Sequence, residues 1–150
     1  IDKLTVNSIV NLDGPYGIFT LEGQNSEPKV IIAGGIGITP FIALVNKYGT
    51  NDTIFLNANR FFNDIIKRDE LISKLGNNYY DFISRENTKE DHIINSRLTS
   101  ELFQKIVTKE KLHLNKYFLC GGKEFIKATI GILNSLEVEK SKIFLEDFGT

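Results

Sequence analysis

With one cysteine among 150 residues, Cys120, the chain can close no disulfide within itself. Its only two histidines, His92 and His113, stand far apart without clustered ligands, which argues against a structural metal. The composition fits a reducing compartment. Charge of one sign is lacking too: 18 Lys and Arg against 19 Asp and Glu leave a net charge of −1. No broad field therefore draws the chain to nucleic acid or to an anionic membrane surface. Long apolar runs are missing. The longest, Val30 to Val45, is 16 residues and is interrupted by three glycines, a threonine and a proline, too short and too broken to span a bilayer. No charged segment leads into an apolar one as a targeting signal would, so the expected setting is the cytoplasm, or the cytosolic side of a membrane protein. What remains is the length of one domain, or of one domain carrying a remnant of another.

Along the chain, Val6 to Leu12 and Ile18 to Leu21 flank Gly14-Pro15-Tyr16-Gly17 and read as two short strands around a turn. Gly23 to Pro28 is polar and turn-forming, and we place a boundary there: residues 1–28 as an appendage and linker, 29–150 as the domain. Five strand candidates follow, at Val30 to Ala33, Thr53 to Asn57, Tyr79 to Ser84, Tyr117 to Leu119 and Ile143 to Leu145. Helical spacing lies between them. Phe41, Leu44, Val45 and Tyr48 make the first apolar stripe, and Asp64 to Leu75 reads as a second helix stopped by Gly76. Thr99 opens a third, with Leu102, Phe103, Ile106 and Val107 facing inward. The fourth starts at Lys123 and carries Phe125, Thr129, Ile132, Leu133 and Leu136 on one side. Strands alternating with helices predict an α/β fold, a doubly wound parallel sheet of five strands with helices on both faces.

The segment with most chemistry is Ala33-Gly34-Gly35-Ile36-Gly37-Ile38-Thr39-Pro40-Phe41. A buried strand runs into three glycines, which let backbone N–H groups approach a pyrophosphate. Thr39 is expected as N-cap and Pro40 as first helical residue, so that the positive end of a helix faces the turn. A simple turn would need less. The pattern is not G-x-G-x-x-G, because Pro40 stands where the last glycine would be, and it lacks the Gly-Lys-Ser/Thr of a nucleoside-triphosphate loop. On this reading Gly37→Val blocks phosphate and leaves the fold intact.

This segment resembles the pyrophosphate motif of the ferredoxin-NADP reductase superfamily, and four further segments resemble that family in its order. They are Gly14-Pro15-Tyr16-Gly17-Ile18-Phe19, Asn59-Arg60 with Asp64-Ile65 and Asp69-Glu70-Leu71, Phe118-Leu119-Cys120-Gly121-Gly122, and Ile143-Phe144-Leu145-Glu146-Asp147-Phe148. Gly122 replaces the proline of the family's Cys-Gly-Pro, and Asn95-Ser96-Arg97-Leu98-Thr99 lacks a glycine that relatives often carry. Nothing matches the family's flavin-binding Arg-x-Tyr-Ser/Thr, which lies upstream in its flavin barrel.

The resemblance implies a strand order 3-2-1-4-5, with residues 1–28 as a β remnant of a flavin-binding domain. It brings the Gly34–Thr39 turn and Cys120-Gly121-Gly122 to one crevice, although about 80 positions separate them. It also implies hydride transfer from NADPH or NADH to an FAD held mainly by the missing flavin domain, and onward transfer to a haem, an iron-sulfur protein or ferric iron. In that scheme Cys120 and Glu146 serve the reacting region, Thr39 lines it, and Phe148 covers the flavin or the empty nicotinamide place. Each has a plainer explanation: Cys120 as a small buried hydrophobe, Glu146 as a solvated charge, Phe148 as a terminal aromatic. Arg60, where the adenosine ribose would lie, favours NADPH; Lys67 and Arg68 are expected on the exposed face of the second helix. The alternative is a dinucleotide sensor without electron transfer.

Overall fold

The computed structural model describes residues 4–14 and 18–148. A strand covered on both faces needs apolar side chains at successive positions rather than alternate ones. β1 (Lys29–Gly34) meets that condition, buried without interruption from Lys29 to Ala33. It is the centre of the sheet: β2 (Thr53–Asn59) pairs with it on one side and β5 (Lys116–Gly121) on the other, both parallel. β3 (Tyr79–Ile83) extends the β2 side and β6 (Ile143–Asp147) the β5 side, and the two-residue β4 (Ile93–Ile94) adds an edge to β3. The order is β4-β3-β2-β1-β5-β6. The five predicted strands thus stand in the predicted order, and β4 is an addition. Two residues carry no readable period, so no pattern marks it in advance.

Alternate residues of the central strands feed two cores. Val30, Ile32, Leu56, Phe82 and Leu119 face one side, where α3 (Ser100–Ile106) and α5 (Lys123–Ser135) contribute Phe103, Ile126 and Leu133. Ile31, Ala33, Phe55, Tyr79, Phe118 and Cys120 face the other, against Phe41, Leu44 and Val45 of α1 (Thr39–Tyr48) and Leu71 and Leu75 of α2 (Arg68–Leu75). A short α4 (Lys109–Leu112) precedes β5. Thr99 caps α3 as expected, its hydroxyl accepting from the Leu102 N–H at 3.3 Å. The predicted helix from Asp64 breaks in two. Phe62–Asp64 form a separate 3-10 turn, and α2 starts only at Arg68, after Lys67 in the left-handed region at φ 57°.

The expected strands at the N-terminal end are absent among the described residues. Val6, Ile9 and Leu12 are more than 90% exposed, and Leu21–Gly23 make a 3-10 turn. A strand needs a neighbour for its backbone N–H and C=O groups, and none runs beside this segment. Pro15, Tyr16 and Gly17 of the predicted turn lie outside the described residues. The linker, by contrast, is strapped down. Lys29 is buried with its ammonium donating to the carbonyls of Asn25 and Glu27, each at 2.8 Å, and Lys116 pairs with Glu22 and Glu27 at 3.0 Å. Phe19 packs on Phe41 and Phe118, ring centres 5.6 and 6.4 Å apart.

Candidate functional site

Parallel strands bring the starts of their following helices to one end of the sheet, where the order of connection reverses between β1 and β5. A cleft of about 890 Å³ opens there. Gly34, Gly35 and Ile36 line it from β1, Asn59 and Arg60 from β2, and Gly122 with Lys123 from the start of α5. Gly35 has φ +55° and free space where a side chain would project, as a backbone surface presented to a ligand requires. Asn59 is buried at 7% exposure, and its Oδ1 has no hydrogen-bond partner. Leaving such an atom unpaired costs about 1–3 kcal/mol.

The turn itself differs from expectation. Gly35–Ile38 already coil as a 3-10 turn, and α1 continues from it, so Thr39 is inside the helix with helical φ and ψ. Its hydroxyl donates back to the Ile36 carbonyl at 3.0 Å instead of capping an N–H. Gly37 also has another task. A Cβ there would lie 2.2 Å from the Cys120 carbonyl oxygen and 2.7 Å from the Gly121 nitrogen. Gly37 is therefore the point where the turn presses on β5, and a valine there strikes the sheet instead of reaching into the space in front of the turn. Phe125 plays the matching part on the opposite side, its ring 2.6 Å from a Cβ built at Gly34 and 2.7 Å from one at Gly121.

The two glycine motifs do meet. Ala33 stands opposite Cys120 in the sheet. Gly122 keeps φ −73°, an angle that proline also adopts, so its departure from Cys-Gly-Pro preserves the local backbone. Gly37, Ile38, Thr39, Pro40, Cys120, Gly121, Glu146 and Phe148 do not line the cleft. Cys120 is wholly buried, and burial first, then the neighbouring Glu146 carboxylate, pushes its thiol up to about 12. It is a neutral S–H at physiological pH. Glu146 faces it in register on β6, and the Phe148 N–H donates to the Gly121 carbonyl at 3.3 Å.

Sequence reasoning missed part of the cleft's basic rim. Arg85 and Arg97 line it beside Arg60, each following a serine just beyond a strand. None of the three forms an ion pair among the described residues. The Ser-Arg repetition at Ser84-Arg85 and Ser96-Arg97 was the available signal. Arg68, assigned to an exposed face, instead points inward with its side chain 16% exposed.

A family model described as the oxidoreductase NAD-binding domain matches residues 31–130. The chain belongs to this family. The NAD-binding domain is 28% identical over 157 residues to the reductase component of propane 2-monooxygenase from Mycolicibacterium smegmatis, covering 97% of this chain and 44% of that protein. It superposes with TM-score 0.70 on the flavohem-like FAD/NAD-binding domain of nitric oxide dioxygenase from Vibrio cholerae, at 23% identity, covering 84% of this chain and 53% of that one. A ferredoxin NADP+ reductase from Neisseria gonorrhoeae with bound FAD and NADP gives 0.61 at 17% identity, covering 88% and 61%. The NAD-binding domain spans less than half the length of the curated relatives it matches. No helix among its described residues is long and apolar enough to cross a membrane.

Proposed function

We propose that this domain binds NADPH in preference to NADH and presents its nicotinamide to an FAD held by a flavin-binding half of the same parent protein. The observation that carries the reading is a single cleft that joins an open glycine turn, where Gly35 leaves free space in place of a side chain, to a rim of three arginines. Gly34, Gly35 and Ile36 would hold the pyrophosphate through backbone N–H groups, with Gly122 and the N-terminus of α5 on the facing wall. Arg60, joined by Arg85 and Arg97, would pair with a 2′-phosphate, which a guanidinium can meet with two parallel hydrogen bonds. When bound, the dinucleotide supplies a hydride for the flavin.

Cys120, Glu146 and Phe148 would border the nicotinamide end, beyond Gly121 and Gly122. There the buried, neutral thiol is a small packing group behind the site and no nucleophile. Two of the three relatives named above are a monooxygenase reductase component and the FAD/NAD-binding domain of a nitric oxide dioxygenase, and their names support the setting we adopt: a reductase that passes electrons to an oxygenase or a haem. One observation favours the sensor alternative, namely that Cys120 is wholly buried away from the cleft. Flavin reduction by the parent protein separates the two.

Amide NMR titration of the chain with NADPH and with NADH tests the reading. Shifts should concentrate at 34–36, 59–60, 85, 97 and 122, tighter with NADPH. Shifts confined to other surfaces, or equal affinity for the two, would refute the site or the preference respectively.

A further inference from the structure

Asp81 is a wholly buried carboxylate in the middle of β3. Its Oδ1 accepts from the Tyr79 hydroxyl at 2.7 Å and from Asn57 Nδ2 at 2.9 Å, and its Oδ2 accepts from Arg68 Nε at 3.1 Å. Arg68 has two further attachments. A terminal nitrogen donates to the backbone carbonyl of Asp91, and the guanidinium carbon lies 5.5 Å from the ring centre of Phe62. One side chain thus ties together the sheet, the turn after β2 and the end of the connection after β3.

Those two segments carry the cleft's cations. Arg60 lies two positions before Phe62, and Arg85 and Asp91 are each one residue inside the two ends of the connection from Ser84 to His92. The segments also bind each other: the Arg85 N–H donates to the Arg60 carbonyl at 3.0 Å, and the Glu86 carboxylate accepts from the Phe62 N–H. Stability alone is a poor explanation for Arg68. Desolvating an ion pair offsets most of its attraction, so apolar residues of similar volume often serve a core as well. A cation in the first turn of α2 also opposes the helix dipole. The planar fork, however, reaches two acceptors at fixed angles, which a lysine cannot do.

We propose that Arg68 is a positioning residue for the adenosine end of the dinucleotide. It does not line the cleft; it sets where Arg60 and Arg85 stand around it. The proposal rests on the reading of the cleft given above.

The test uses the full 150-residue chain with 2′,5′-ADP and 5′-ADP as probes, titrated calorimetrically well below the unfolding temperature. Arg68→Lys keeps a cation opposite Asp81 but loses the fork, and the double variant R68M/D81N removes both charges together so that none is left buried alone. Each should weaken 2′,5′-ADP binding roughly tenfold, within the range reached by network residues remote from a ligand, with amide shifts confined to 60–66 and 84–92. Parent-like affinity in both folded variants overturns the proposal. So does a loss that comes only with collapse of the whole amide spectrum in both, which would assign Arg68 to the fold alone. If the parent binds both probes equally and Arg68→Lys weakens both, the positioning role stands and the 2′-phosphate assignment falls. A parent that binds neither probe refutes both.

Discussion

Gly37→Val separates two meanings of a glycine in a phosphate turn. A Cβ at this position meets the Cys120 carbonyl oxygen at 2.2 Å, its carbonyl carbon at 2.5 Å and the Gly121 nitrogen at 2.7 Å. All three atoms are backbone of a buried strand, so no side-chain rotation relieves the overlap. Forcing extra carbon into a packed site costs about 1–3 kcal/mol, and a backbone obstacle puts this case at the upper end. For a chain of this size 1 kcal/mol moves Tm by about 2–4 °C, so valine should lower it by roughly 6–12 °C, and alanine should already lower it measurably. Gly35→Ala provides the contrast. Nothing lies within 4 Å of its added Cβ, and the cost is the left-handed backbone at φ +55°, about 1–2 kcal/mol. The assay is thermal unfolding by circular dichroism beside calorimetric titration with NADPH. If Gly37→Val keeps the parent Tm and loses binding, the packing argument is wrong and Gly37 is a phosphate contact after all.

Arg60→Ala should raise the Kd for NADPH ten- to a hundredfold, about 1.5–3 kcal/mol, and leave NADH unchanged; equal loss for both dinucleotides removes Arg60 from the 2′-phosphate. Burial raises the Cys120 thiol to about 12, so the folded protein keeps a proton that the unfolded chain releases. Stability is therefore intact below the ordinary thiol range and falls as pH rises from there towards 12. Urea unfolding between pH 8 and 10.5 should show that fall, flattened in Cys120→Ala, and rapid labelling of the native thiol at pH 8 would contradict it. Lys29→Met leaves the Asn25 and Glu27 carbonyls without their shared donor, at about 1–3 kcal/mol. Amide hydrogen exchange of residues 24–27 should quicken, and parent-like protection would show that the ammonium is not what holds the linker.

The alternation of strands and helices was legible because each element is long enough to show its period. β1 announces itself by burial on both faces, and the stripe from Leu102 to Val107 by its spacing. The glycine turn was legible as a dinucleotide cradle in composition, but the work of each glycine was not, since only the fold says that Gly37 faces β5 and Gly35 faces open space. Thr39 followed by Pro40 has the residue types of a cap. It fails as one because the preceding 3-10 turn already supplies the helix start. The alternation in Val6 to Leu12 is that of a strand without a partner here. Arg85 and Arg97 sit in loops, where no periodicity marks a side chain, and the inward course of Arg68 depends on Asp81 standing on another element.

The placement of β1 governs the order of assembly during synthesis. Its neighbours begin at Thr53 and Lys116, so the strand that carries the glycine turn gains its second partner only after β5 has left the ribosome. Until then one flank of the most apolar strand is open, a template for unwanted pairing, and pairing across so long a stretch is slow. The nascent domain therefore carries its greatest risk of aggregation between the emergence of β1 and that of β5.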